Sequence, residues 1–529
     1  MIYLTYILFG IYFLCIAFTL SYALMQLTLL IVYVRKKYFN VGINPTSDIP
    51  NPTSNTPSVS DDILPRVTIQ LPIYNEQYVA ERLIDNIAQM DYPLDRLQVQ
   101  VLDDSTDETT PIIATKIAEW QRKGFPIEHV RRDNRTGYKA GALRDGMVTA
   151  TGEFIAIFDA DFLPSSDFLE RTIPFFQDPS VGTVQTRWGH LNQDASLLTR
   201  LQALQLNIHF TIEQKGREYA NFLRQFNGTA GVWRKATIEA VGNWQTDTLI
   251  EDVDLSIRAQ LAGWRILIRE EIVTAAELPS TMTALKIQQF RWMKGGSENA
   301  LKQLPKVLRS KRLSFLSKCH SIIFLLASSM FIAAALMSFV SIALMFFIKD
   351  GMWNGFWQGL SISATAVTIV LSLQIVVANV QSDVRYGNFY IELLKILALL
   401  PLFFIIMSGM AFHNTVGVIE GFMGKKTSFM RTPKFGTTNN SDNRYTLKQI
   451  PKMSLIEIVL SIVFGASAIW GFTHQVVQFQ IFHVLLSMGY LSVAGYSILP
   501  VLNNVFQQYS QKLWTEREQA EPVCEVSSY

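Results

Sequence analysis

Residues 1–34 contain no charged side chain, and Arg35, Lys36 and Lys37 follow at once. Such a run must be kept from water, and about 20 apolar residues suffice to cross a bilayer. A cleaved signal peptide has a basic start and a short apolar core, and this run has neither. The basic triplet belongs on the cytoplasmic side, which places the N-terminus outside. Residues 319–348 and 351–382 are separated only by Lys349 and Asp350 and read as a hairpin of membrane helices; residues 458–511 read as a second. Residues 396–419 are also free of charge, but Pro401, His413 and Asn414 interrupt them, and Lys425, Lys426, Arg431, Lys434, Arg444 and Lys448 follow. One crossing there would carry that basic segment outside, against the positive-inside tendency. The expectation is that 396–419 lies in the interface or re-enters, giving five crossings and a cytoplasmic C-terminus.

Between these runs the character of the chain changes. Residues 38–64 are rich in Pro, Ser, Thr and Asn, lack periodicity and read as a linker. From 65 to 305 the pattern is that of a soluble α/β domain. The stretches "RVTIQLPI", "LQVQVLDD" and "EFIAIFDADF" read as strands, with helical patterns in "EQYVAERLIDNIAQM" and "ETTPIIATKIAEWQRKG" between them. Strands alternating with helices predict a Rossmann-like parallel sheet with ligands at the carboxyl ends of its strands. All three apolar runs give way to polar or acidic residues, Asn75 and Glu76, Asp103 and Asp104, and Asp159 and Asp161, so the chemistry is expected along that edge. Overall, 17% of the 529 residues are charged, against roughly 25% in soluble proteins. A net charge of +2 without a basic block gives no sign of nucleic acid. Cys15, Cys319 and Cys524 are too scattered for a disulfide framework or a zinc knuckle.

Three acidic groups stand out within the domain. Asp103 and Asp104 end a strand in "VLDDSTDE", where aspartates also commonly serve as turn or cap residues. Asp159 and Asp161 end the strand of "IAIFDADFLP". Two hard oxygen ligands suit Mg²⁺ or Mn²⁺, which keep positions for water and phosphate. Glu251, Asp252 and Asp254 open an amphipathic helix, where acids favour the macrodipole and one of them can also act as a general base. "FNGTAGVWR", residues 226–234, supplies a glycine-bearing loop beside aromatics. "QQFRW" sets Gln288, Arg291 and Trp292 just before a hydrocarbon run, a pairing that also suits a membrane boundary.

In this order the motifs, together with "DNRTGYKAGAL", resemble the family 2 glycosyltransferases, above all the processive membrane synthases. They are most similar to the cellulose-synthase-like A group of glucomannan 4-β-mannosyltransferases, and are related to bacterial cellulose synthase subunits. The resemblance is dense over residues 65–300 and loose in the membrane part. It implies a GT-A-type α/β domain inserted between transmembrane helices, and an inverting hexosyltransferase that extends a β-1,4-linked polysaccharide. It further implies a nucleotide-sugar donor, GDP-mannose or UDP-glucose, held by Pro72, Tyr74, Glu76, Asp104, Lys139, Asp159 and Arg291. Asp103 and Asp104 would support the nucleotide, Asp159 and Asp161 the Mg²⁺ or Mn²⁺, and Asp252 would be the base. The acceptor would rest on Trp292, whose flat face suits a pyranose, with Gln288, Phe226, Asn227, Gly228 and Thr229 around it. Lys139 also reads as an ordinary surface-helix lysine. "SFMRTPKFG", residues 428–436, resembles a gating loop through Phe429, Thr432, Pro433 and Lys434, with Arg431 in place of a valine. A non-processive enzyme that adds one sugar to a membrane lipid shares several of these motifs.

Overall fold

The computed structural model describes residues 2–39, 64–348, 354–383, 388–434, 436 and 449–520. Most of the expected linker, and residues 521–529 of a C-terminal tail expected over 512–529, lie outside these residues, as do Arg444 and Lys448.

The sheet has seven strands: β1 (Val67–Ile73), β2 (Leu97–Asp103), β3 (Ile127–Arg131), β4 (Phe154–Ile157), β5 (Val181–His190), β6 (Gly231–Arg234) and β7 (Arg265–Ala276). Their order is β3-β2-β1-β4-β6-β5-β7. The three expected strands are β1, β2 and β4, paired in parallel as predicted. The sheet is mixed rather than parallel throughout, because β6 runs antiparallel to both β4 and β5. Strand β6 is the "GVWR" half of the stretch expected to be a loop. Four residues after a glycine-rich turn are too few to show a period of two. In β1, Val67, Ile69, Leu71 and Ile73 enter one apolar layer. Thr68 and Gln70 face the other way and are matched to β2, with Gln70 Nε2 donating to Gln100 Oε1 at 3.0 Å.

The apolar faces of the sheet are covered by helices in the alternation its strands require. After α1 (Ile2–Phe39) the domain helices are α2 (Ala80–Ile87), α3 (Thr109–Arg122), α4 (Tyr138–Gly146), α5 (Phe168–Thr172), α6 (Leu197–Ile208), α7 (Gln214–Tyr219), α8 (Lys235–Ala240) and α9 (Glu251–Ala262). Helix α10 (Met282–Arg309) then leads through α11 (Phe315–Leu325) to α12 (Met330–Ile348), α13 (Asn354–Asp383), α14 (Phe389–Gly409), α15 (Ala411–Phe422), α16 (Lys452–Thr473) and α17 (Gln480–Ala520).

Six of the described helices are long and apolar enough to cross a membrane: those within α1, α12, α13, α14, α16 and α17. Five crossings are expected from the sequence, and length and composition admit a sixth helix. The addition is α14, which continues through Pro401 instead of being interrupted by it. The break falls at Met410, where Gly409 meets Gly489 of α17 so closely that a Cβ would lie 2.2 Å from the Gly489 carbonyl oxygen. After it, α15 runs back along α10: a Cβ on Gly417 or Gly421 would abut Phe290 or the Lys294 carbonyl. The basic end of α1 is fastened to the domain, with Lys37 Nζ 2.7 Å from Glu270 on β7.

Candidate active site

One cavity opens along the carboxyl ends of β1, β2 and β4, closed on one side by α10 and by residues 429–434. Its wall contains Pro72, Tyr74, Glu76, Asp104, Lys139, Asp159, Asp161, Asn227, Gly228, Asp252, Gln288, Arg291, Trp292, Phe429, Thr432 and Lys434. Residues separated by more than three hundred positions in sequence therefore meet in one space. They meet because a parallel strand delivers its last residues to the same edge as its neighbours.

Three of the expected site residues do not line the cavity. Asp103 is buried behind it. Its carboxylate accepts from the Ser105 backbone N–H at 2.8 Å and lies 2.9 Å from His129 Nε2. Burial alone would raise its pKa, but the hydrogen bonds from His129 and Ser105 outweigh this and hold it below the usual range. It stiffens the strand end, while Asp104 faces the ligand space, clasped by Arg132 at 2.8 and 2.6 Å. Phe226 is wholly buried in the core against Trp233. Thr229 is also buried, and its hydroxyl accepts from the Asp159 backbone N–H at 2.8 Å, which fixes the turn carrying the two carboxylates.

Lys139, at the start of α4, bridges Asp159 Oδ1 at 2.5 Å and the Gly228 carbonyl at 3.0 Å. Asp161 Oδ2 accepts from Lys434 Nζ at 2.6 Å and from the Glu277 backbone N–H at 3.2 Å. Among the described residues, no group of three or more His, Cys, Asp or Glu side chains is arranged around a common point for a metal. Asp159 and Asp161 nonetheless fit Mg²⁺ or Mn²⁺, which take one or two carboxylates and leave the other positions to phosphate and water. Both carboxylates face the cavity, and each already draws a cationic side chain to it.

Asp252 lies in the first turn of α9. Burial, and then the neighbouring Glu251 carboxylate, push its pKa up to about 7, although Lys139 opposes the shift. Glu251 is raised as well, chiefly by burial. Gly228 is the close neighbour on the other side. With φ at +79°, it is in the left-handed region, and a Cβ there would sit 3.2 Å from Asp252 Oδ2 and 3.5 Å from Lys139 Nζ. Gln288, Arg291 and Trp292 share one face of α10 because their spacing is that of successive helical turns.

Several contributors went unread in the sequence. Arg135 stacks its guanidinium 3.2 Å from the centroid of Tyr74, and Tyr138 stacks on Phe429 at 5.8 Å. Both belong to "DNRTGYKAGAL", whose glycine and cations were the available signal. Trp188 and His190, at the end of β5, and Glu277, beyond β7, also reach the wall. Arg431, the departure from the gating pattern, pairs with Glu76 at 2.6 Å. Burial pushes Glu76 up to about 8 despite that partner.

Residues 65–295 match the family model described as "Glycosyltransferase like family 2". The chain is 37% identical over 380 residues to "Probable glucomannan 4-beta-mannosyltransferase 11" of Arabidopsis thaliana, a match covering 70% of this chain and 82% of that protein. It is 41% identical over 271 residues to "Glucomannan 4-beta-mannosyltransferase 1" of Oryza sativa subsp. japonica, covering 50% of this chain and 52% of that one. The match thus spans about half the length of the rice protein. A solved mannosyltransferase from Pyrobaculum calidifontis, in complex with GDP-Man and Mn²⁺, is 21% identical with a TM-score of 0.49, covering 78% of this chain and all of that one.

Proposed function

Starting from a chain that belongs to the family 2 glycosyltransferases, of the cellulose-synthase-like A type, we propose an inverting hexosyltransferase that extends a β-1,4-linked polysaccharide. The donor is a nucleotide sugar, GDP-mannose or UDP-glucose, with mannose favoured by the similarity to the mannosyltransferases. One observation carries the reading: Asp252, with a carboxyl raised to about 7, shares a cavity with Lys139, the Asp159–Asp161 pair and Trp292.

In this reading Trp292 supports the terminal acceptor sugar by its ring face. Asp252 accepts the proton of the attacking hydroxyl as its oxygen bonds to the anomeric carbon. The bond to the diphosphate breaks on the opposite face, so an α-linked donor yields a β-linked product. Lys139 and Arg291 face the departing diphosphate and balance its charge. Asp159 and Asp161 would hold a divalent cation, which when bound adds positive charge at the same place. Phe429, Thr432 and Lys434 close the mouth and exclude water, so that the donor is not spent on hydrolysis.

The catalytic domain is assigned to the cytoplasmic side. Helix α13 ends beside it, with Asn379 Nδ2 donating to the Leu204 carbonyl of α6. The chain returns to it after α15, through Arg431 and Lys434. The α14–α15 pair therefore begins and ends on the domain's side and forms a re-entrant hairpin, leaving five crossings. The polymer leaves between the membrane helices. Incubating the protein with each labelled donor and digesting the product with linkage-specific glycanases tests the proposal. A mannanase- or glucanase-sensitive polymer is expected, and a single sugar on a lipid would overturn it.

A further inference from the structure

We propose that His209 and Glu213 are positioning residues for the acceptor: they orient the Asn227 amide so that its N–H groups face a hydroxyl of the incoming sugar. The inference rests on the reading of the cavity as a glycosyl-transfer site. Between α6 and α7 the helix loosens into a π-turn over His209–Glu213, a departure from regular helix that recurs at functional sites. Within it His209 and Glu213, four residues apart, face each other, with His209 Nδ1 3.0 Å from Glu213 Oε2. The other ring nitrogen, Nε2, is 2.8 Å from Asn227 Oδ1.

Gln225 Nε2 donates to the same Asn227 oxygen at 2.9 Å, and the Asn227 backbone N–H donates to Gln185 Oε1 at 2.7 Å. With His209 and Gln225 nitrogens both on Oδ1, the oxygen is committed and Nδ2 is left as the amide's remaining donor. That Nδ2 is buried and has no hydrogen-bond partner among the described residues. Asn227 itself lines the cavity beside Gly228 and Asp252. A buried donor without a partner is costly, so a ligand acceptor belongs there. In a site with a base on one side and an aromatic platform on another, a sugar hydroxyl oxygen is the acceptor available.

The dyad is anchored from behind. Glu213 lies 3.6 Å from Arg217 and accepts from Gln26 of α1 at 2.6 Å. Gln26 in turn accepts from Gln374 of α13 at 2.9 Å. Two membrane helices thus hold the group that holds Asn227. Neither His209 nor Glu213 lines the cavity, so their effect must pass through the amide.

The test uses full-length protein, a labelled donor and a soluble β-linked hexose oligosaccharide as acceptor. His209→Ala is expected to raise the oligosaccharide KM on the order of tenfold while the donor KM stays within about twofold. His209→Gln, which keeps an N–H toward Oδ1, should recover part of the loss. Asn227→Asp retains the oxygen that His209 meets but removes the donor, and should show the same rise in acceptor KM. Unchanged acceptor KM in both His209→Ala and Asn227→Asp would overturn the proposal, as would donor and acceptor KM rising together. If the wild type extends no oligosaccharide, the transferase reading itself fails, a result distinct from either of these.

Discussion

Burial and the adjoining Glu251 carboxylate together leave the Asp252 carboxyl, the proposed base, half charged near pH 7. A proton acceptor must be unprotonated, so the transfer rate should fall as pH drops through about 7 and reach a plateau above it. Asp252→Asn should reduce transfer by roughly 10²–10⁴-fold and abolish that acidic limb, while donor binding, followed by nucleotide-sugar titration, stays close to wild type. A variant that elongates polymer normally would remove Asp252 from the role. Gly228 gives an independent check at the same scale. A methyl group there meets Asp252 and Lys139 on a backbone with φ at +79°, so Gly228→Ala should lose most activity while the melting temperature falls by only a few degrees, an expected cost of about 1 kcal/mol. Asp103 differs from both: Asp103→Asn should act through the packing of β2 against His129 and show mainly in thermal unfolding.

At the scale of elements, residues 425–434 form an arm tied at several points. Lys294 reaches the Lys425 carbonyl and Thr427, Arg431 reaches Glu76, and Lys434 reaches Asp161. Lys434 and a divalent cation would draw on the same carboxylate. Lys434→Ala should therefore tighten Mn²⁺ binding several-fold, as read by the loss of the free-ion signal in electron paramagnetic resonance; unchanged binding would separate the arm from the metal. The ends of β1, β2 and β4 were legible because each apolar run stops at carboxylates or a polar turn. The α10 face was legible because Gln288, Arg291 and Trp292 follow a helical spacing. The burial of Asp103 was not, since it depends on His129 from β3, a strand of five residues with no clear alternation. The roles of Phe226 and Thr229 were hidden for a similar reason: a glycine-rich stretch does not announce which residues turn into the core. Arg431 looked like a flaw in a motif, and its partner lies 355 positions away.

Across the whole molecule, helix α10, which lines the cavity, is bolted to the long apolar helices α16 and α17 by buried charge. Lys286 Nζ lies 2.7 Å from Glu457 of α16 and 2.9 Å from Ser497 Oγ of α17. Six residues further along α10 is Trp292, so the same helix carries the proposed sugar platform and grips the bundle. Both partners are buried, with Glu457 at 0% exposed. Removing one charge leaves the other without compensation, a loss of about 3–5 kcal/mol, whereas replacing both by apolar side chains of similar volume is often close to neutral. Lys286→Met should therefore lower the thermal midpoint of the detergent-solubilised protein sharply, and Lys286→Met with Glu457→Leu should restore most of it. The rescued double variant then asks whether charge, or only packing, holds α10 in register. Transfer that returns along with stability means that apolar contact suffices to place Trp292. A stable double variant with weakened acceptor use means that the ion pair sets the angle of the helix over the cavity. If Lys286→Met alone melts like the wild type, the pair holds nothing, and the orientation of α10 must come from its contacts with α15.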